Sequence, residues 1–566
     1  MKNRRRAREA ALQILYEVDV RKVTAEKVLE TTFSRYRFKP EIKKFVRKLV
    51  LGTYQFLPPI NSLIKKYAKN WTLERMATVD RNILRLSIYE LLLLDDIPPV
   101  VSINEAVEIA KRYGTADSGK FVNGILDKIS KERSPNSSLK WAYLKKSLKK
   151  DLYLKKLIEI KGKEKIWLVG GCLRNLLLGK EKKDLDLIEE DPDFKTAQLF
   201  AQSIKRSLIT LRPTLRRITL PSGIAIDFAL KNSAQMQTNL IKRDFTINAL
   251  SLDIEHLELS SLFLIDPSTG LEDLINKKIK LMRKESIEED PLRMLRAFRL
   301  AAQFNFIIEE NLSSLIQQKS IFIKNISVER VREEIFLLLE SPLSYKYMDN
   351  LSSKTLLKKI LEQNPNIESL KRLEEILSSN KIIPRDIKKR ILLHLKKNNQ
   401  GKKSRKSLLK LIALLFSPEE KIPLSSVGKQ LKLTQKQIKT MKKIEKVYPD
   451  VEKIMKEEQL DPLLVAQFLI EAGKETVETL LLFLTVNFKR SSSQKSAIFL
   501  LQEYFQKSSL LLQSPGLIKG KELMELLGIS AGPQIAYILN KIHQAQVAGK
   551  INTKEKAINF AKKLIQ

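Results

Sequence analysis

The stretch from Leu168 to Asp191 reads LVGGCLRNLLLGKEKKDLDLIEED. It begins with an apolar run that ends at a Gly-Gly pair, continues through an arginine and a charged loop, and then reaches two aspartates separated by one leucine. Short apolar runs bounded by turn residues are typical of strands. Because residues i and i+2 of a strand point the same way, the pattern predicts that Asp184 and Asp186 share one face of a strand.

Two carboxylates on one face repel each other unless a cation lies between them. Mg²⁺ takes hard oxygen ligands and is commonly held by one or two carboxylates together with substrate phosphates. We therefore predict Asp184 and Asp186 as catalytic residues and Mg²⁺ ligands; a strand-end surface pair is the structural alternative. Gly170 and Gly171 would bring backbone N–H groups close to a triphosphate. Arg174, at the start of the next helix, would meet the same anion.

The charge of the chain suggests the kind of partner it binds. Its 566 residues include 103 Lys and Arg against 65 Asp and Glu, a net charge of +38. Basic side chains that neutralise phosphates release counterions, so this excess favours a nucleic acid; a Lys-rich composition that reflects an AT-rich genome is the alternative. Cys172 is the single cysteine, which favours a reducing compartment. Apolar runs are too short to cross a bilayer, so we expect a soluble, cytoplasmic protein with no membrane partner.

The spacing of apolar residues predicts a mainly α fold with one small α/β domain. Short apolar or alternating segments bounded by turns indicate strands only near the middle of the chain. A basic helix predicted within the linker could pack against the domain before it or the domain after it. The predicted parts are a helical domain at 1–132, a basic linker with one helix at 133–162, an α/β domain with a mixed sheet at 163–270, a helical segment at 271–345 and a further helical region at 346–566.

The first predicted helix begins with an arginine cluster in the stretch RRRAREAALQILY. The guanidinium fork matches phosphate oxygens bidentately, so a cluster of this kind can clamp RNA or DNA. A solvated helix start is the alternative interpretation. The predicted RNA-binding arginines are Arg4, Arg5, Arg6 and Arg8.

Three segments of the helical domain, RNILRLSIYELLL, IPPVVSINEAVEIAKRYG and DSGKFVNGILDKI, occur in that order. In order and spacing they resemble the transcription antitermination factor NusB. The resemblance implies a helical bundle that binds RNA, such as an rRNA or boxA-like sequence, through its arginine-rich first helix, with a NusE-type ribosomal protein as partner. It also implies Asp117, Lys120 and Phe121 as candidate contacts. Phe121 would stack on a base; ordinary core packing is the alternative.

The rest of the chain carries further motifs in a fixed order. After the Gly-Gly and Asp-x-Asp elements come KRDFTINALSLD, EEDPLRMLRAFRLAAQF, ISVERVREEI and LIKGKELMELLGISAGPQIAYIL. Together they resemble class II tRNA nucleotidyltransferases and poly(A) polymerases. The resemblance implies a catalytic head followed by a helical neck, body and tail. It further implies Mg²⁺-dependent, template-independent transfer of C and A from CTP and ATP to a tRNA 3′ end, with release of pyrophosphate.

The same resemblance assigns roles within KRDFTINAL, where Arg243, Asp244 and Asn248 would hold the ribose and the triphosphate. Asp227, the lone carboxylate of the apolar stretch IAIDFAL, would assist the metals or make a structural hydrogen bond.

In EEDPLRMLR the resemblance implies selection of the base. Asp290 and Arg293 lie three residues apart, a spacing that predicts one helical face. A carboxylate acceptor and a guanidinium donor there would hydrogen-bond to the Watson–Crick edge of C or A. Glu289 and Arg296 would brace that pair.

Two departures from the family pattern bear on the activity. Asn175 stands where the family usually has Asp, which removes one charge near the phosphates. The segment between Asp227 and Lys242 is short, and this leaves the specificity open. Members that lack a longer loop there can stop after two cytidines. Addition of CC alone and poly(A) tailing therefore remain alternatives to CCA addition. A non-catalytic RNA-binding scaffold acting in transcription or rRNA maturation is a further alternative.

Overall fold

The structure is a computed structural model. It describes residues 2–68, 71–94, 97–130, 141–182, 184–233, 235–257, 264–396, 398–399, 403–418, 423–457, 460–488, 491–512 and 517–565. The chain forms two compact units. One comprises Met1–Ser286 with Ile307–Leu312, and the other comprises Ile287–Phe306 with Ser313–Gln566. Within the described ranges, no helix combines the length and apolar character needed to cross a membrane.

The N-terminal part of the first unit is a bundle of helices. Ala7, Ala11, Ile14, Leu15 and Val18 are buried along one face of the first helix, at the spacing expected of an amphipathic helix that faces a core. The first helix packs against the third and the fifth. The helices are α1 (Lys2–Arg21), α2 (Ala25–Arg35), α3 (Pro40–Gln55), α4 (Leu57–Tyr67), α5 (Thr78–Leu93), α6 (Pro99–Tyr113) and α7 (Ser118–Ser130).

Two short helices follow, α8 (Trp141–Lys149) and α9 (Leu152–Ile160). The polar stretch 131–140 predicted as a linker lies outside the described residues. Asp151 is the N-cap of α9, since its carboxylate accepts hydrogen bonds from the backbone N–H groups of Tyr153 and Leu154. Both helices pack against the α/β domain, α8 on the helix after the Gly-Gly turn and α9 on the helix after the second strand.

The α/β domain is built on one mixed sheet, as predicted. Its strands lie in the order β3-β4-β5-β2-β1-β6-β7; the β2–β5 pair is parallel and the other pairs are antiparallel. The elements are β1 (Ile166–Val169), α10 (Gly171–Leu177), β2 (Leu185–Glu189), α11 (Lys195–Ser203), β3 (Ile209–Arg212), β4 (Leu215–Thr219), β5 (Ala225–Leu230), α12 (Met236–Ile241), β6 (Ser251–Asp253), β7 (Leu264–Ile265), α13 (Gly270–Ile275) and β8 (Lys278–Ile279).

Apolar residues cover both faces of this sheet. On one face Trp167, Val169 and Ile188 pack with Met236 and Leu240 of α12. On the other face Phe228 meets Phe200 of α11 at a ring-centroid distance of 6.2 Å. Both faces of the sheet therefore contribute to the core of the α/β domain.

The described part of the second unit is helical apart from a two-residue strand pair. Buried Leu, Ile and Phe residues line its helices throughout. With the short strand β9 of the first unit, the remaining elements are α14 (Ser286–Glu289), α15 (Arg293–Phe304), β9 (Ile307–Ile308), α16 (Glu310–Lys319), α17 (Val328–Leu339), α18 (Ser344–Met348), α19 (Leu351–Leu361), α20 (Ile367–Ser378), α21 (Arg385–Lys396), β10 (Asn398–Asn399), β11 (Lys403–Ser404), α22 (Arg405–Leu415), α23 (Leu424–Gln430), α24 (Gln435–Ile454), α25 (Pro462–Ala472), α26 (Thr476–Val486), α27 (Ser491–Leu512), α28 (Gly520–Leu527), α29 (Pro533–Val547) and α30 (Lys554–Lys563).

Candidate active site

Charged residues form an in-register row across the centre of the sheet. Asp186 of β2 pairs with Val169 of β1 on one side and with Asp227 of β5 on the other. Asp227 in turn pairs with Arg217 of β4. Residues in register on neighbouring strands project from the same face, so these side chains lie on one side of the sheet.

Asp184 lies immediately before β2 and is exposed. Its Oδ1 accepts a hydrogen bond of 3.1 Å from the backbone N–H of Ala225, which ties it to the start of β5. Asp184 is two residues before Asp186, and its charge acts on the carboxyl group of Asp186. Together with Asp227 they form what we call the carboxylate row.

The electrostatics of the row centre on Asp186. Burial raises the pKa of its carboxyl group, and the negative charges of Asp227 and Asp184 act in the same direction. The positive charges of Arg243 and Arg174 oppose that rise. Asp186 therefore lies among two like charges and two guanidinium groups, an arrangement in which an added cation would be stabilised.

Asp227 has a partner that the sequence did not reveal. Nε and Nη2 of Arg217 donate to its Oδ1 and Oδ2, both at 2.7 Å. The hydrogen bonds and charge of Asp227 raise the pKa of Arg217, to which Asp184 and Asp186 also contribute. Of the two roles left open for Asp227, the geometry supports the structural ion pair.

The Gly-Gly turn brings the backbone against this cluster. Gly170 has φ +75° and ψ −137°, a conformation that is essentially restricted to glycine. A Cβ atom there would lie 2.5 Å from Nη1 of Arg243 and 3.2 Å from Oδ2 of Asp186. At Gly171 a Cβ atom would lie 3.3 Å from Nη2 of Arg174. The glycines therefore allow two guanidinium groups to approach the turn closely.

Arg174 is held by a chain of side-chain hydrogen bonds. Its Nε and Nη2 donate to Oδ1 of Asn175 at 3.2 and 2.9 Å, and its Nη1 donates to Oδ1 of Asn248. Nδ2 of Asn248 donates to Oδ1 of Asp244 at 2.9 Å. The amide oxygen of Asn175 thus accepts the guanidinium hydrogen bonds without adding a charge near the predicted triphosphate-binding residues.

The turn that carries Asn248 is braced by α13. Thr246 donates through Oγ1 to Oδ2 of Asp273 at 2.6 Å. A Cβ atom at Gly270 would lie 2.2 Å from the carbonyl oxygen of Thr246, so glycine permits this close packing. Burial raises the pKa of Asp273 to about 6. No local sequence pattern indicated these residues, because contacts between the start of α13 and KRDFTINAL require the tertiary fold.

Cys172 lies in the same turn and is buried. Burial raises the pKa of its thiol to about 12, and the charge of Asp186 adds to the rise. A thiol in this state is a weak nucleophile. Cys172 is therefore a small buried residue of the turn.

The residues present fit a Mg²⁺ site that is completed by substrate. Among the described residues, no group of three or more His, Cys, Asp or Glu side chains is arranged to hold a metal ion. Two carboxylates, Asp184 and Asp186, are close enough for the charge of one to act on the other, and the third carboxylate of the row is paired with Arg217. One or two carboxylates plus substrate phosphates and waters are the usual Mg²⁺ environment in nucleotide enzymes.

The candidate base-selecting residues lie in the second unit, at the start of α15. The prediction that Asp290 and Arg293 share a helical face is wrong for Asp290, which lies in the turn before the helix. Pro291 follows it, and a residue before proline is disfavoured in the helical conformation. Asp290 accepts a hydrogen bond of 2.9 Å from Nη2 of Arg330. Nη1 of Arg293 lies 3.5 Å from Oε2 of Glu289.

Arg296, predicted to brace Asp290 and Arg293, pairs with an acid of another helix. Its Nε lies 3.5 Å from Oε1 of Glu334, while Nε of Arg299 lies 2.7 Å from Oε2 of the same carboxylate. Glu334 is buried and belongs to α17. Arg296 therefore connects α15 to the helix that carries ISVERVREEI.

The arginines of α1 differ in exposure. Arg8 is buried, and its Nε and Nη2 donate to the buried carboxylate of Glu90 at 2.7 and 3.0 Å. The prediction that Arg8 binds RNA is therefore wrong, because its fork is already engaged inside the bundle. Arg5 pairs with Glu105 at 2.7 Å but keeps 46% of its side chain exposed. Arg4 lies over the ring of Phe45, and Arg6 is exposed.

In α7, Lys120 is exposed and Phe121 is half-buried. The ring of Phe121 meets that of Trp71 edge to face, with centroids 6.0 Å apart. Trp71 is 50% exposed. Phe121 therefore belongs to an aromatic pair at the surface rather than to the core of the bundle.

A strand, a Gly-Gly turn that opens a helix, paired aspartates and convergent arginines define a nucleotidyltransferase head. Four family descriptions match the chain: the NusB family at residues 5–131, the poly(A) polymerase head domain at 166–280, an RNA and SrmB binding site of polymerase A at 305–370, and tRNA nucleotidyltransferase domain 2 at 388–561. The chain therefore belongs to the NusB family through its N-terminal bundle and is, through the remaining domains, an enzyme of the nucleotidyltransferase class.

Individual relatives match one part or the other. NusB of Desulforamulus reducens is 46% identical over 126 residues, which is 22% of this chain and 88% of that protein. The CC-adding tRNA nucleotidyltransferase of Synechocystis sp. is 26% identical over 402 residues, 70% of this chain and 93% of that protein. The Thermotoga maritima CCA-adding enzyme complexed with tRNA has the same fold, with a TM-score of 0.56, 22% identity and coverage of 75% of this chain and 98% of that chain.

Proposed function

We propose that the protein adds C and A to the 3′ end of tRNA, using CTP and ATP and releasing pyrophosphate. The observation that carries this proposal is the juxtaposition of Asp184 and Asp186 with Gly170, Arg174 and Arg243. A triphosphate placed there would have cations on one side and the catalytic carboxylates on the other.

In the proposed reaction the 3′ hydroxyl of the RNA attacks the α-phosphorus of the nucleotide. A new oxygen–phosphorus bond forms, the bond to the β-phosphate breaks, and pyrophosphate leaves while the hydroxyl proton passes to solvent. Asp184 and Asp186 would hold Mg²⁺, which when bound activates the attacking hydroxyl and stabilises the leaving group. Arg174 and Arg243 would neutralise the triphosphate, and Asn175 and Asn248 would keep Arg174 oriented.

Base selection is proposed for the start of α15. Asp290 and Arg293 would hydrogen-bond to the Watson–Crick edge of the incoming base, with Arg330 and Glu289 orienting them. Arg296 would act indirectly by fixing α15 to α17.

Addition of two cytidines alone is the second candidate. The segment between Asp227 and Lys242 contains the short helix α12, whose Met236 and Leu240 are buried in the core of the head. This leaves few residues there for the longer loop that serves the switch from C to A. The relative from Synechocystis carries the name of a CC-adding enzyme.

For the N-terminal bundle we propose RNA binding through Arg4, Arg5, Arg6, Lys120 and Phe121. Exposed cations would contact phosphates, and the Phe121–Trp71 pair would stack on a base. We further propose an rRNA or boxA-like sequence as the RNA, a NusE-type ribosomal protein as partner and a cytoplasmic location.

The test supplies a tRNA that ends before the CCA sequence and follows labelled CTP and ATP incorporation at nucleotide resolution. Growth by three nucleotides supports CCA addition, growth by two supports the CC alternative, and long A tracts support tailing. Asp184→Asn should abolish incorporation while leaving tRNA binding nearly intact. No growth with any nucleotide would contradict the proposal and favour a non-catalytic scaffold.

A further inference from the structure

Arg217 holds the third carboxylate of the row by both oxygens. A guanidinium fork that meets a carboxylate through two parallel N–H groups is among the stronger side-chain interactions. Here both distances are 2.7 Å, Asp227 is 18% exposed and Arg217 is 41% exposed. Each carboxylate oxygen of Asp227 therefore already has a cationic partner at the edge of the candidate active site.

The sheet itself enforces this pairing. Arg217 is the in-register partner of Asp227 across β4 and β5, and Asp227 is the in-register partner of Asp186 across β5 and β2. Arg217 is therefore two strands away from Asp186, and neighbouring strands lie about 4.8 Å apart. The pair cannot be reassigned without a change in strand register.

The neighbouring residue shows that this role is specific to position 217. Arg216 alternates to the opposite face, where Nη1 donates to the carbonyl oxygens of Arg212 and Pro213 at 2.8 and 3.2 Å. Its guanidinium lies 4.5 Å from the centroid of the Phe194 ring. Arg216 therefore stabilises the hairpin between β3 and β4 and takes no part in the carboxylate row.

We propose that Arg217 is a positioning residue that withholds Asp227 from the metal, so that the site offers the metal two carboxylates rather than three. This inference rests on the proposed function, because it takes Asp184 and Asp186 as the metal ligands. A third free carboxylate beside Asp186 would bind a divalent cation more tightly and repel the incoming triphosphate. The ion pair keeps the site open to both.

The test measures Mn²⁺ binding to the full chain by counting free Mn²⁺ with electron paramagnetic resonance, without nucleotide or RNA. Arg217→Gln should lower the Kd for Mn²⁺ about tenfold, the size of effect expected when one more unit charge comes within about 5 Å of a divalent ion. Arg217→Lys should give an intermediate Kd, since an ammonium group keeps the charge but not the fork. Arg216→Gln is the matched control and should leave the Kd unchanged.

The double variant Arg217→Gln/Asp227→Asn separates this role from direct ligation by Asp227. It removes one positive and one negative charge, so the Kd should return to within about twofold of the native value if Asp227 is not a ligand. In steady-state incorporation, Arg217→Gln should raise KM for the nucleotide more than it lowers kcat, because repulsion acts on the bound triphosphate.

Two results would overturn the inference. One is an unchanged Kd for Mn²⁺ in Arg217→Gln when Asp184→Asn does weaken Mn²⁺ binding. This result would contradict the role of Arg217 and leave the metal assignment intact. The other is a double variant that binds Mn²⁺ at least tenfold more weakly than the native chain, which would make Asp227 a ligand. Absence of Mn²⁺ binding by the native chain would instead contradict the metal assignment of the proposed function, and this inference with it.

Discussion

Gly170 provides the sharpest test of how the turn supports the site. Its φ of +75° with ψ of −137° would cost an alanine about 1–3 kcal/mol of backbone strain. In addition, the new Cβ atom would lie 2.5 Å from Nη1 of Arg243, well inside van der Waals contact, so the guanidinium must move. A displacement of about 1 Å in a positioned group can reduce the rate by about 10²-fold. Gly170→Ala should therefore lower kcat/KM for nucleotide incorporation by at least that factor.

Gly223 offers a matched control. It has φ +81°, but among the described residues no heavy atom lies within 4 Å of the position that a Cβ atom would occupy there. Gly223→Ala should lose comparable stability and keep its activity. Thermal unfolding measures the shared strain, and single-turnover incorporation measures the separate effect on the site. If folded Gly170→Ala incorporated nucleotide as fast as Gly223→Ala, the close approach of Arg243 to this turn would have no catalytic role.

Three further predictions address the bundle and the linker helices. Arg8→Ala should cost about 3–5 kcal/mol of unfolding free energy, because it leaves the buried carboxylate of Glu90 without its cationic partner and with only the hydroxyl of Ser102 as a side-chain donor among the described residues. Arg6→Ala should leave stability unchanged and reduce the salt dependence of RNA binding by a slope of about one. Equal stabilities of the two variants in urea denaturation would contradict the first expectation. Although burial opposes ionisation, Arg85, Arg81 and Lys22 lower the pKa of Asp19 to about 2. The contribution of Asp19 to the unfolding free energy is therefore present above its ordinary pKa and is lost as the pH falls through about 2. Asp19→Asn should remove on the order of 2 kcal/mol of unfolding free energy at neutral pH and flatten the fall in stability at acid pH, and an unchanged fall would refute the assignment. Leu157→Ala, at a fully buried position of α9, should destabilise the head by about 2–5 kcal/mol. The control Leu152→Ala, at a 76% exposed position of the same helix, should change the unfolding free energy little. Equal losses of stability in the two variants would show that α9 does not pack as described.

The local patterns of the chain determined much of the candidate site. The two-residue period of a strand predicts that Asp184 and Asp186 share one face, although β2 begins only at Leu185. The Gly-Gly turn ends β1 where the sequence indicated. Helical spacing predicted the mainly α architecture and the single α/β domain. Each of these inferences depends only on residues close together in the chain.

Tertiary structure decided which charged groups meet. Arg8 and Arg6 belong to the same arginine cluster, yet Arg8 turns into the bundle, because Glu90 of a helix distant in sequence lies opposite it. Asp290 lies outside α15, and the sequence contains the reason, because Pro291 follows it. Which partner Asp227 takes depends on strand register, and Arg217 reaches it only because β4 and β5 pair in one alignment. Spacing along the chain determines which way a side chain points. Strand register and helix packing are set by the burial of the whole sheet and the whole bundle, so the sequence alone could not show which residue of a neighbouring strand or helix each charged side chain would pair with.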